Sequence, residues 1–278
     1  MVLSHLSQYS DGRFLWAGQF STAVLGGSID IYVRSILELM PEKVVLWLSQ
    51  GDGFSRLQGL EDARATIYGF EGTPVIATLC TRLPNHSSPE VMLLPLDDHF
   101  FSHGVVPSLN LVLPPWTQRD PSLFWSGRCC GERKRIVERL SESQHAKVGF
   151  TDMAPPGSLI RRSWAVPSEF TQYKFVAIID GNVIASSLMW CFALGAVPIL
   201  ITHPDNKYWC QSQLIAFVNY VPLAWDLSDF DHIMQWLLTH DGECEAIAAA
   251  ALRLAETVFS SNHQQAYVQA ELERVVRT

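Results

Sequence analysis

At 278 residues the chain is long enough to bury a large core, in one big domain or, as read here, in two of about 100 to 150 residues each. Its composition, 48% apolar and 17% charged, excludes disordered, collagen-like and disulfide-scaffold classes. With a formal net charge of -8 and basic residues scattered apart from a cluster at Arg128 to Arg135, it does not read as a nucleic-acid binder.

The N-terminus, "MVLSHLSQYSDGR", has neither a basic n-region nor a long apolar h-region, and "ELERVVRT" at the other end carries no retention signal. The six cysteines show no C-x-x-C spacing, so reduced thiols in a cytoplasmic protein are expected. The sequon Asn85-His86-Ser87 then reads as a loop. In chain order, residues 28 to 41 have apolar positions at helical spacing and stop at Pro41, followed by a β-rich run at 44 to 49. Further strands are predicted at 73 to 79, 91 to 96 and 109 to 116, each bounded by Pro, Gly, Asn or Ser. Together these form a first α/β half. "LPPWTQRDP" (113 to 121) reads as a crossover linker, placing a domain boundary near residue 118, with domains at 1–118 and 119–278. A second series starts with a strand at 123 to 127 and a helix at 132 to 142.

Residues 175 to 200, "FVAIIDGNVIASSLMWCFALGAVPIL", hold one charge, Asp180, and are long enough to be considered as a membrane span. The turn cluster Asp180-Gly181-Asn182, the interruption at Ser186-Ser187 and the Gly195 and Pro198 stops favour a strand at 175 to 179, a buried helix at 184 to 194 and a strand at 197 to 201. The amino end of that helix, beside a strand's carboxyl end, is a natural diphosphate seat. Neither G-x-G-x-x-G here nor a P-loop anywhere supports NAD or ATP. After "YVPL" (220 to 223), Ser228 and Asp231 suggest a capping box for a helix burying Phe230, Ile233, Trp236 and Leu237, and residues 243 to 260 and 263 to 276 extend the helical C-terminus.

Three blocks carry a family resemblance: the stretch from Lys174 through "YVPL" and "DLSD" to Phe259, the segment "LFWSGRCCGERKRIVERLS", and the shorter "VVLWLSQGDGF". In this order they resemble the capsule-associated glycosyltransferases that include the Rumi-like protein O-glucosyltransferases. The resemblance implies an α/β GT-B fold, two Rossmann-like domains facing a central cleft, and inverting transfer from a UDP-sugar, which is a substrate; no cofactor is implied. It implies Asp52 as the general base, and a carboxylate in the Gly-flanked "GDG" loop at a strand end can accept a hydroxyl proton. By the residues alone, a turn aspartate stabilising its own loop is the commoner reading of a D-G pair such as Asp52-Gly53. Donor-binding roles are implied for Arg133 with Gly127, with Arg128 or Arg135 able to share or replace that role, and for Val183, Ile184, Ala185, Ser186, Ser187 and Leu188. Leu188 stands where the family commonly has Arg, implying less positive charge at the leaving group; the loop 102 to 110 is expected to border the sugar.

Other chemistry-bearing residues read as structural. Asp229-Phe230-Asp231 is a D-x-D at a helix start rather than a strand end, "LDDH" (96 to 99) lacks a converging partner set, and Glu90 fits a surface loop, so no metal site is expected. His203, His240 and most of Trp125, Trp190, Trp209 and Trp236 are expected in structural positions. The expected function is transfer of xylose or glucose from a UDP-sugar to a glycan or glycolipid, in a viral or bacterial setting, with neither nucleic acid nor a transmembrane segment. A non-catalytic nucleotide-sugar or glycan-binding protein is the alternative. The choice of sugar rests on a hydroxymethyl group, worth only about 1 to 3 kcal/mol of discrimination.

Overall fold

The computed structural model describes residues 111–152, 165–182, 184–185 and 187–277, together with strand residues 7–8, 14–19, 44–49, 73–78 and 91–93 and Pro95. The chain packs as two compact units, one formed by Met1–Gly104, Asp205–Gln211 and Ser261–Thr278, the other by Val105–Pro204 and Ser212–Ser260. A single cut at residue 118 therefore falls inside the second unit, and the last helix groups with the first.

In the first unit, β1 (Ser7–Gln8), β2 (Phe14–Gln19), β3 (Val44–Ser49), β4 (Thr73–Thr78) and β5 (Val91–Leu93) form one sheet in chain order. Only β1 is antiparallel to its neighbour. Val75, Ile76, Val91 and Met92 are buried, as the apolar runs require of strands covered on both faces.

The second unit holds β6 (Asp120–Gly127), β7 (Ala146–Phe150), β8 (Tyr173–Ile179), β9 (Val197–Ile201) and β10 (Val221–Pro222), all parallel in the order β7-β6-β8-β9-β10. Between and after them run α1 (Arg133–Ser141), α2 (Pro167–Phe170), α3 (Leu188–Phe192), α4 (Phe230–Thr239) and α5 (Asp241–Thr257); α6 (Ser261–Arg277) belongs to the first unit and packs on β4 and β5. There Arg274, paired with Glu271, donates to the Val91 carbonyl at 2.8 Å and so ties α6 to β5.

The second unit's core is built from alternate faces of its sheet. Trp125 meets Phe150 edge-on at 5.9 Å, and Phe192 meets Phe259 at 5.7 Å, linking α3 to the end of α5. Phe124 stacks on Tyr173 at 4.1 Å and meets Phe170 edge-on at 4.7 Å, which joins β6, β8 and α2 on the other face.

Four sequence expectations change. Residues 111–115 are not a strand: Pro114 and Pro115 have no N–H for a ladder, and Val112 is 95% exposed. The helix expected at 184 to 194 contracts to Leu188–Phe192, because the Asp180 carboxylate takes the Ala185 N–H at 3.1 Å and holds the chain in a turn. The cap of α4 is Asp229, not Ser228, and its Oδ1 accepts the Ala224 N–H at 3.0 Å rather than one of the helix's own. On α4 the buried set is Phe230, Ile233, Met234 and Leu237, with Trp236 half-buried. The expected helix at 28 to 41 lies outside the described residues. Among those described, no helix is long and apolar enough to cross a membrane.

Candidate functional site

Taken in chain order, the five strands of the second unit lie in the order 2-1-3-4-5, so the sheet reverses direction of growth between β6 and β8. In open parallel sheets, the loops leaving such neighbouring strands run to opposite faces and leave a crevice at their carboxyl ends, where ligands bind. The segments that emerge at this point are the loop from Gly127 to α1 and the turn from Asp180 to α3.

The two segments interlock through glycines. Gly131 has φ +54, and a Cβ there would lie 2.5 Å from the Gly181 carbonyl oxygen, so backbone meets backbone without room for a side chain. Gly127 ends β6; its carbonyl accepts the Thr151 N–H at 2.9 Å, and a Cβ on it would meet the Trp125 ring at 2.6 Å. Its expected close-approach role is thus toward Trp125.

Arg133 fastens the loop. Its Nε and Nη2 donate to the Ile179 carbonyl at 3.0 and 2.8 Å, and its Nη1 donates to the Arg128 carbonyl and the Cys130 sulfur, both at 3.3 Å. The guanidinium lies 5.5 Å from the Trp125 ring centre. Most of its donors are therefore held by the protein, and Arg133 clamps the loop to the end of β8. Arg135 is similarly engaged, by the Trp225 carbonyl at 2.8 Å and Glu132 at 3.3 Å. Arg128 differs: it is exposed, and among the described residues its side chain holds no hydrogen bond or ion pair. A permanently charged fork at the mouth of a switch-point crevice is suited to a phosphate.

On the opposite side, Asp180 is fully buried, with Oδ1 on the Ala185 N–H and Oδ2 on the His203 N–H, both 3.1 Å. Sequence reasoning placed Asp180 in a turn and missed this bridge to the loop after β9; a lone carboxylate in an apolar stretch was the available signal. The His203 ring meets Trp225 edge-on at 5.4 Å. Ile184 and Ser187 are half-buried and Ala185 is buried. At the expected diphosphate seat the helix is short: α3 has five residues, and the Ala185 N–H is bonded to Asp180.

Leu188 is 1% exposed. Its side chain lies in the core of the second unit. Asp52, Val183 and Ser186 lie outside the described residues, as do Glu90, "LDDH" and the loop 102 to 110.

The remaining polar candidates are engaged elsewhere. Asp229 is bonded to Ala224, and Asp231 accepts Arg139 at 3.3 Å. Among the described residues no group of three metal-ligating side chains converges. His240 stacks on Trp236 at 4.9 Å, and Trp236 in turn meets Phe217 at 5.3 Å. Trp190 packs on Phe170, and Trp209 on Tyr267. Of the vicinal thiols at the site, Cys129 is pushed up by burial and then by Asp152, which also accepts its N–H at 3.0 Å.

Comparison with known proteins bears on the family and the fold. The profile described as glycosyl transferase family 90 matches residues 110–274. The chain is 27% identical over 177 residues to protein O-glucosyltransferase 2 of Danio rerio, covering 58% of this chain and 34% of that one. It is 27% identical over 140 residues to uncharacterized protein 035R of Invertebrate iridescent virus 3, covering 50% of this chain and 13% of the viral one. The chain thus spans about a third or less of these two relatives. Among solved structures, a glycosyltransferase from Rickettsia africae ESF-5 superposes with a TM-score of 0.52 at 9% identity, over 94% of this chain and 85% of that one. The fold is the GT-B class of α/β protein. With well over half its length matched by one family profile, the chain belongs to glycosyl transferase family 90.

Proposed function

We propose that this protein is an inverting glycosyltransferase that moves a sugar, glucose or xylose, from a UDP-sugar to a hydroxyl of a glycan or glycolipid acceptor. The observation that carries the reading is the switch-point pair of loops, locked together by Gly131 against Gly181 and bearing the exposed Arg128. Family membership and the O-glucosyltransferase relative support sugar transfer.

In the proposed reaction the acceptor oxygen attacks the anomeric carbon from the face opposite the nucleotide, and Asp52 takes the hydroxyl proton as the new C–O bond forms. The bond to the diphosphate breaks with its electron pair on the leaving UDP. Arg128 offsets the growing negative charge on that diphosphate. The reading needs no metal: in Asp229-Phe230-Asp231, the first carboxylate is bonded to Ala224 and the second to Arg139.

The rival reading, a non-catalytic nucleotide-sugar or glycan-binding protein, draws on Leu188 in place of an arginine and on the compact length of the chain. Both readings are separated by one assay. UDP-glucose and UDP-xylose are incubated with wild-type protein and with Asp52→Asn, and UDP release is followed with and without acceptor sugars. Turnover by the wild type and its loss in a variant that still binds UDP is the expected result. Wild-type turnover by Asp52→Asn would remove the base, and donor binding without any turnover would favour the rival.

A further inference from the structure

Asp180 plays no part in the proposed transfer, yet it has no exposed surface. A carboxylate is costly to bury unless its oxygens are satisfied. Here the two oxygens serve two different segments. Oδ1 accepts the Ala185 N–H in the turn before α3, Oδ2 accepts the His203 N–H in the loop after β9, and the backbone N–H of Asp180 donates to the Ile201 carbonyl at 3.2 Å. Only a carboxylate of this length offers an acceptor on each side. Asparagine would turn its NH2 group toward one of the two N–H donors, and glutamate would add a methylene to a filled site.

We infer that Asp180 is a positioning residue that joins the Ala185 turn and the His203 loop into one rigid piece at the carboxyl ends of β8 and β9, so that the donor side of the crevice orders as a unit. The inference rests on the donor reading given above, but the coupling itself does not require a donor. With no exposed surface, Asp180 acts through the segments it holds.

Hydrogen exchange resolved by peptide tests it. In wild-type protein at rising urea below the unfolding transition, the Ala185 and His203 amides are expected to open with the same free energy and the same urea dependence. Different slopes would overturn the coupling, whether or not any nucleotide binds. In Asp180→Asn, peptides carrying Ala185 and His203 are expected to exchange at least about ten-fold faster together, the loss of one charge-assisted hydrogen bond, while α1 and β6 keep their protection. The UDP dissociation constant is expected to rise about ten-fold in parallel, with less change in turnover at saturating donor. Acceleration of one peptide alone, or an even acceleration across the unit, contradicts a bridging role. Unchanged UDP affinity with both loops loosened removes the link to the donor. If wild-type protein binds no UDP, the donor reading fails, and the exchange data still decide the coupling.

Discussion

Arg128 and Arg133 sit on the same loop, and their surroundings assign them different work. Arg133 gives two donors to the Ile179 carbonyl, so Arg133→Ala removes both and loosens the loop's attachment to β8. A loss of about 1 to 3 kcal/mol is expected in urea unfolding, and Arg133→Lys, with no fork, should recover only part of it. Arg128→Ala, at an exposed position with no partner among the described residues, should leave stability within about 0.5 kcal/mol. Nothing in the sequence separates these arginines, since partners so distant along the chain cannot be read from spacing. Leu188 gives a second residue-scale outcome. Leu188→Arg should not strengthen donor binding; it should destabilise the protein by about 3 to 5 kcal/mol, seen as a large fall in the thermal midpoint, because the charge would enter a filled core.

At the scale of elements, the strands were the legible part. The apolar runs at Val44–Ser49 and Val197–Ile201 are strands with the bounds read from the sequence, and those expected at 73 to 79 and 175 to 179 are strands at Thr73–Thr78 and Tyr173–Ile179. β7 escaped notice because it is an edge strand whose alternation is short: Val148 and Phe150 are buried, while Lys147 faces outward to Asp120. The helix after β8 was overextended because hydropathy cannot show that Asp180 draws the Ala185 amide out of helical pairing. The interlock of Gly131 and Gly181 was equally hidden, since it joins positions far apart in sequence. Gly131→Ala tests it. The substitution places a Cβ against the Gly181 carbonyl at a positive φ, and a loss of at least about 1 to 3 kcal/mol is expected by urea unfolding. Retention of full stability would mean that the two loops are not in backbone contact.

At the scale of the whole molecule, sequence reasoning recovered two α/β units and the GT-B class but not the return of α6 to the first unit, because a chain's path back to an earlier domain leaves no local signature. The acid response is also a property of the whole. Burial pushes the Asp120 carboxyl upward, but hydrogen bonds from Lys147 and Ser122 outweigh it and hold the group below its usual range; Asp241 is held low chiefly by Lys174. A carboxyl depressed in the folded state contributes stability above its unfolded value, about 3.9, and that contribution is lost as pH falls through the folded value. Both pairs are partly exposed, so each contributes less than about 1 kcal/mol. The thermal midpoint should therefore respond little to these pairs above about pH 5 and decline below about pH 4. A midpoint that rises on acidification below pH 4 would contradict it.

The claim that a nucleotide diphosphate is received at the crevice between β6 and β8 is tested most directly by calorimetric titration of UDP into wild-type protein and Arg128→Ala. Saturable binding by the wild type, weakened about ten-fold or more in the variant at unchanged thermal midpoint, is the predicted result. Equal affinity in the two proteins, or no binding of UDP by the wild type, would contradict it.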